Sequence, residues 1–334
     1  MELVAVTIDK KTESKILEEA SHFDGKPIEI GGTSITVIGK KKFGVEGGAI
    51  LSLSDRRALA NERRYVAKVM FKDGDVRGTY FYSPNAKSFL RSWCEKRTRK
   101  EINVSVMQEF TALKLARVIN PQVVPDAQLG CVEEENGQKR LFLMTEQAGQ
   151  DNGEIFKNFE DKRDANISKE MWQSAFAISV GLLNDQDVNN SKGDNVGVVS
   201  SKEGNRLCLF DLGHPTPDKF KLDPRTLLPK STSLFADILL WAINLFTSAK
   251  NLPWTFTMAP DIKDKLSVEE RKKSLLMVLD KKYDILKELS NMIEGLPEGS
   301  PEGKAIEDLK IRIEKRMDYL QKILENYEDT LVKA

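Results

Sequence analysis

Histidine and cysteine are scarce in this chain, and their scarcity removes whole classes of chemistry. Its 334 residues include only His22 and His214, and the three cysteines, Cys94, Cys131 and Cys208, stand far apart. Histidine-based triads and histidine-rich metal centres therefore have almost no material. Neither a disulfide framework nor a zinc pattern is present, which fits a reducing compartment. Net charge is lacking as well: 51 Lys plus Arg balance 51 Asp plus Glu, so global charge points to no nucleic-acid partner and any basic patch is local. No apolar run approaches the ~18 residues of a membrane span, and the start, MELVAVTIDKKTESKIL, lacks the basic-then-apolar order of a secretory leader. A cytoplasmic protein without a transmembrane segment is expected. With 40% apolar and 31% charged residues, the chain is long enough for two units with cores of their own.

The stretch richest in oxygen-bearing side chains is Leu182 to His214, LLNDQDVNNSKGDNVGVVSSKEGNRLCLFDLGH. An apolar helix, Met171 to Leu183, runs into an acidic, amide-rich loop. Strands from Val196 to Val199 and from Leu207 to Phe210 follow, and the second stops at Asp211-Leu212-Gly213. Carboxylate and amide oxygens gathered at one end of such a hairpin suit Mg²⁺ or Mn²⁺, which keep room for phosphate. Taken alone, the loop also reads as a solvated Asx-rich turn.

Upstream, Leu3 to Ile8 alternates like an edge strand, and Ser14 to His22 reads as a short helix. Strands are expected from Pro27 to Ile38. Next comes GKKKFGVEGGAILSL, whose glycines, Gly44 and Gly47 among them, can let backbone N–H groups approach phosphates or can simply make a hairpin turn. The strand Arg64 to Phe71 places Val66, Lys68 and Met70 on one face by its period of two, so Lys68 needs a partner. Glu109 offers one, near the start of a helix from Val106 to Ile119 that Asn120-Pro121 ends. As a first-turn acid it would otherwise favour the helix dipole. Strands near Gln128 to Glu133 and Arg140 to Thr145 lead through Met144 and Glu146 into a polar hinge, where an adenine can bond backbone groups.

In chain order, a Val-Ala-Lys strand with Lys68, a long helix with Glu109, an apolar strand into a hinge and the Asp/Asn/Asp-Leu-Gly region resemble the protein-kinase-like superfamily. The resemblance is to its atypical bacterial members, the Legionella-type effector kinases, and covers roughly residues 30 to 250. It implies an α+β, two-lobed protein-kinase-like fold that transfers the γ-phosphate of ATP with Mg²⁺ or Mn²⁺. Lys68, Gly44, Gly47, Met144 and Glu146 would serve the nucleotide, Glu109 would hold Lys68, and Asn195 and Asp211 would bind metal. Asp187, eight residues before Asn195, is favoured as catalytic base; Asp185 with Asn190, five residues apart, is the alternative pair. Asp237, in a second apolar helix from Ser233 to Phe246, would be held by the catalytic loop. The acceptor would be a hydroxyl of a host protein or of the kinase itself, after delivery by a bacterium into a host cell. His214 after Asp-Leu-Gly is similar to phosphoinositide kinases, so a phosphoinositide is the other acceptor; a pseudokinase binding module and a nucleotidyl transferase are the other classes. No Ala-Pro-Glu signature occurs in the 19 residues between Gly213 and Ser233, so substrate docking does not carry over.

Two further features complete the reading. KSFLRSWCEKRTRK carries Lys87, Arg91, Lys96, Arg97, Arg99 and Lys100 against one acid, a patch for an inositol polyphosphate or phosphoinositide head group, or else a solvated cationic helix face. Beyond Pro260, Ser267 to Glu270 looks like a capping box, and stripes through Leu275, Leu276, Val278, Tyr283, Leu286, Leu289 and Ile293, then through Leu309, Ile311, Ile313, Met317 and Leu320, predict a helical hairpin. A detached coiled-coil arm is the other reading of these stripes, and the chain's end leaves room for a longer parent protein. The expected domains are 1–147, a lobe of strands plus the Glu109 helix; 148–259, a lobe with the catalytic loop and metal site; and 260–334, the helical extension.

Overall fold

The structure is a computed structural model. It describes residues 3–31, 35–40, 48–53, 63–68, 99–146, 148, 155–158, 166–184, 196–202, 204–210, 212–213, 215, 217–218, 221–229 and 265–332. Among them are six α-helices, one π-helical turn, a seven-stranded mixed sheet and a three-stranded sheet. By contact the chain divides into two compact units, Met1–Met107 with Gln128–Glu146, and Gln108–Ala127 with Gln147–Ala334.

The first unit is built on the larger sheet. Its elements are β1 (Val4–Asp9), α1 (Lys10–Ser21), β2 (Ile28–Glu29), β3 (Ile35–Lys40), β4 (Gly48–Leu53), β5 (Arg63–Lys68), β6 (Ala127–Glu133) and β7 (Lys139–Glu146), with the first part of α2 (Arg99–Ile119). The strand order is β1-β6-β7-β5-β4-β3-β2. As its alternation predicts, β1 lies at the edge, where it runs parallel to β6. α1 begins earlier than the expected Ser14, because the Asp9 carboxylate accepts the Thr12 N–H at 2.7 Å and caps the helix there. The Thr12 side chain, then that backbone bond, hold the Asp9 carboxyl below its ordinary range.

One face of the sheet is sealed by α1. Ile16 and Ala20 pack with Ile8, Ile35, Val37, Tyr65, Ala67, Phe142 and Met144 in one buried cluster. Arg140, 1% exposed, pins the helix from within: its Nη2 donates to both oxygens of Glu13, and its Nε donates to Glu134 at 3.1 Å. β6 and β7 join through a turn in which Gly137 takes φ +75°, a conformation side-chain-bearing residues avoid. Across this pair the ring of Phe142 lies over Gly130, where an added methyl would overlap it. Gly130→Ala is therefore expected to destabilise the protein by about 1–3 kcal/mol through overpacking, read as a lower urea midpoint at unchanged slope. An unchanged midpoint would refute that packing.

The second unit holds the rest of α2, then β8 (Ile155–Asn158), α3 (Lys169–Phe176), the π turn (Ala177–Leu182), β9 (Val196–Ser201), β10 (Gly204–Leu209), α4 (Val268–Asp280), α5 (Lys282–Glu294) and α6 (Pro301–Val332). The single helix expected from Ser267 to Ile293 is two. Leu275 and Val278 of α4 bury toward α3 and the π turn, while α5 packs on α6. Both halves reach α6, while α4 also packs on α3 and the π turn, and the chain breaks between them at Lys281, within a run of polar residues. α6 starts at Pro301, eight residues before Leu309, the first residue of its expected stripe. Pro301 takes its first position, where a missing N–H costs nothing, and the Ser300 hydroxyl accepts the Gly303 N–H at 3.1 Å. Leu276, Tyr283 and Ile311, counted in the apolar stripes, are exposed. The helices pack on one another and on the π turn, so no free coiled-coil arm forms among the described residues.

α4 opens with the expected capping box. The Ser267 hydroxyl accepts the Glu270 N–H, and Glu270 accepts the Ser267 N–H at 2.8 Å while bridging to Lys169 at 2.8 Å. The Lys169 bond, then the Ser267 bonds, hold the Glu270 carboxyl at about 2. Because this pKa is depressed, the contribution is present above the ordinary value of 4.5 and is lost as pH falls toward about 2. Carboxyl-carbon NMR is expected to find that low pKa and to see it rise in Lys169→Ala. No movement in that variant would remove Lys169 as the main cause.

Candidate functional site

The frame of the candidate site is the β9–β10 hairpin and the helix that precedes it. Val196, Val198, Val199, Leu207, Cys208 and Leu209 are buried, and the strands pair antiparallel with Val196 opposite Leu209 and Ser201 opposite Gly204. β8 covers the other edge of β9, with Asn158 opposite Gly197. The turn after α2 anchors the hairpin: the Leu209 N–H donates to the Val123 carbonyl at 2.8 Å, and Arg206 donates to the Gln122 carbonyl at 3.2 Å. That turn is fixed in its own right, since Asp126 takes Lys114 at 3.0 Å and Arg117 donates to the Val124 carbonyl at 2.8 Å. Burial would raise the Asp126 pKa, but Lys114 and Arg117 outweigh it and hold the carboxyl low. Past β10, Leu212 is completely buried.

The preceding helix departs from the regular form expected for Met171 to Leu183. Ser168 caps α3 by accepting the Met171 N–H, and from Ala177 to Leu182 the winding is π, with the Leu183 N–H reaching the Ile178 carbonyl at 3.0 Å. Asn184 then turns left-handed at φ +46° while 2% exposed. Asn tolerates this conformation better than most residues, and a left-handed residue just past a helix is a common way to end one. Gly181 explains why the π turn can lie so close to α4: an added Cβ would meet Val278 Cγ2 at 2.9 Å and Leu275 Cδ2 at 3.3 Å. An apolar helix followed by Asn is the sequence signal that could have marked Asn184. No pattern in one sequence marks the π winding.

The fates of the expected site residues differ. Lys68 is the last residue of β5, paired with Gly48 of β4; β5 lies between β4 and β7. Met144, opposite Ala67, is a core side chain, while Glu146 ends β7 opposite Tyr65 and is partly exposed. Glu109 is not near a helix start. α2 begins at Arg99, so Glu109 lies in its middle and the first-turn dipole account of this acid no longer applies. Arg99 and Lys100 are the first residues of that helix rather than a segment before it. Asp185, Asp187, Asn190, Asn195 and Asp211 lie outside the described residues, as do Gly44, Gly47, Lys87, Arg91, Lys96, Arg97 and Asp237. Among the described residues no group of three or more His, Cys, Asp and Glu side chains converges, and no helix is long and apolar enough to cross a membrane.

No family model matches the chain, and no curated protein matches it. Solved structures similar to it include the Helicobacter pylori proinflammatory kinase CtkA, with 13% identity and a TM-score of 0.47 over 88% of this chain and 97% of that one. At that score the likeness settles neither fold nor activity.

Proposed function

We propose that the chain is a two-lobed, kinase-like phosphotransferase that moves the γ-phosphate of ATP to a protein hydroxyl. The observation that carries this reading is the β9–β10 ladder. Val196 and Leu209 are opposite each other at one end of the hairpin, and in the sequence Asn195 directly precedes the one while Asp211 follows the other by two residues. Leu212, which follows Asp211 in the sequence, is completely buried. Ahead of the hairpin in the sequence, the wholly buried π turn is followed by left-handed Asn184, one residue before Asp185. Asn and Asp oxygens are the donor set that hard divalent cations accept, so Asn195 and Asp211 would hold Mg²⁺ or Mn²⁺. When bound, that ion neutralises phosphate charge. Asp187 takes the proton of the acceptor hydroxyl, with Asp185 as the other candidate. Lys68, held by Glu109, orients the phosphates.

The cationic run that ends in α2 is the proposed seat of a polyanion that adjusts Glu109, since both belong to neighbouring stretches of one chain segment. Intact mass measurement after incubation with ATP and Mn²⁺, with and without inositol hexakisphosphate, tests both ideas. Additions of one phosphate mass are expected on the chain itself. Additions of an adenylyl mass would replace the reading with nucleotidyl transfer, and nucleotide binding without any addition or turnover would leave a binding module.

A further inference from the structure

One turn of α6 reaches both segments that flank the proposed site. Arg316, 2% exposed, donates from Nε to the Gly181 carbonyl at 3.0 Å and from Nη2 to the Val180 carbonyl at 2.7 Å. These carbonyls belong to the last turn of the π segment, where helical oxygens run out of regular intrahelical donors. Three residues on, the Tyr319 hydroxyl accepts the Leu222 N–H at 2.6 Å and lies 3.4 Å from the Leu222 carbonyl. The Arg316 guanidinium sits over the Tyr319 ring, 5.3 Å from its centre, so the two grips are joined. Arg271 of α4 adds a third hold, donating to the Thr226 carbonyl at 2.9 Å beside Leu227, which takes the left-handed φ of +54°.

A brace for packing alone does not need a guanidinium. Burying a charge is costly unless hydrogen bonds compensate it, and an apolar side chain of similar size would hold two helices together at lower cost. Desolvation draws the Arg316 pKa down to about 10, still charged at neutral pH. What the charge adds is a fixed direction for two carbonyls, three and four residues before Asn184.

We propose that the Arg316–Tyr319 turn is a positioning clamp: Arg316 sets the exit of the helix that delivers residues 185–195, and Tyr319 sets the segment that follows Asp-Leu-Gly. This rests on the phosphotransfer reading, in which those stretches carry the base and the metal ligands. Neither residue touches the reacting atoms. Both act through the backbone they hold, so a helix 97 to 136 residues away in sequence governs turnover.

The test uses the full chain with Arg316→Lys, Arg316→Met and Tyr319→Phe, read by melting temperature, amide hydrogen exchange, and kcat and KM for ATP. Arg316→Lys keeps the charge but loses the two-pronged grip. Faster exchange by about tenfold at residues 180–184, unchanged exchange at 301–309, and a kcat lower by about tenfold at unchanged KM are expected. Tyr319→Phe keeps the ring and is expected to speed exchange at Leu222, again lowering kcat and not KM. Unchanged exchange at these amides, an unchanged kcat, or a loss of activity that only follows the melting temperature would overturn the clamp. An inert wild type would instead overturn the phosphotransfer reading, and exchange at 180–184 and Leu222 would still decide whether the two grips fix these segments.

Discussion

Asp211→Asn is expected to abolish phosphate transfer, with kcat falling by about three orders of magnitude while the melting temperature stays close to that of the wild type. The substitution keeps size and shape and removes one negative charge, so its effect isolates the proposed ligand role from packing. The fold is expected to survive because the neighbouring core lies in Leu209 and Leu212, both completely buried, and because the Leu209 N–H keeps its bond to Val123. Lys68→Met is expected to cost a comparable factor for a different reason. It removes the point charge proposed to orient phosphates, so ATP affinity is expected to weaken along with turnover. Transfer from γ-labelled ATP measures the first effect, and nucleotide titration separates the second. An Asp211→Asn protein that keeps more than about a tenth of wild-type turnover would not be using this residue as proposed.

What can be read from one sequence, and what cannot, divides here by the range of the interactions involved. The β9–β10 hairpin is legible because its signal is local: short apolar runs bounded by polar turns, with Gly204 at φ +129° where the second strand begins. The capping box at Ser267 is legible for the same reason. The start of α2 is not, because the cationic run up to Lys100 reads as a solvated patch, while Asn103 decides the matter by pairing with distant backbone. Its side chain donates to the Lys139 carbonyl at 3.2 Å and accepts the Leu141 N–H at 2.9 Å. The π turn depends on Gly181 meeting Val278, nearly a hundred residues away. Arg316 is hidden more deeply still. It stands inside a polar-looking stretch of an amphipathic helix, and only its partners 135 and 136 residues back make it a core residue. For the candidate site, the flanking frame was legible in the residues, whereas the grips that hold the frame from α6 were not.

The largest effect on stability is expected at Arg140. Arg140→Met is predicted to destabilise the protein by about 3–5 kcal/mol, because it leaves the Glu13 carboxylate buried without its cation. Glu13 is 4% exposed, and its remaining cationic neighbour, Lys10, is 3.9 Å away and itself half-exposed. Glu134 is less affected, since it reaches Lys10 at 3.6 Å from a more exposed position. Desolvation is the largest influence on Arg140 and opposes its charge, and Glu13 and Glu134 outweigh it. The network is nevertheless imperfect: Arg140 Nη1 is buried and has no hydrogen-bond partner among the described residues. A buried pair with an unmet donor is a poor source of net stability, so replacing both members is expected to recover most of the loss. Glu13→Leu with Arg140→Met should therefore lie within about 1 kcal/mol of the wild type, while either single change is costly. Urea unfolding of the four proteins in the cycle measures this directly. If the double replacement costs as much as the sum of the singles, the two residues are uncoupled, and α1 is held to the sheet by its apolar face alone.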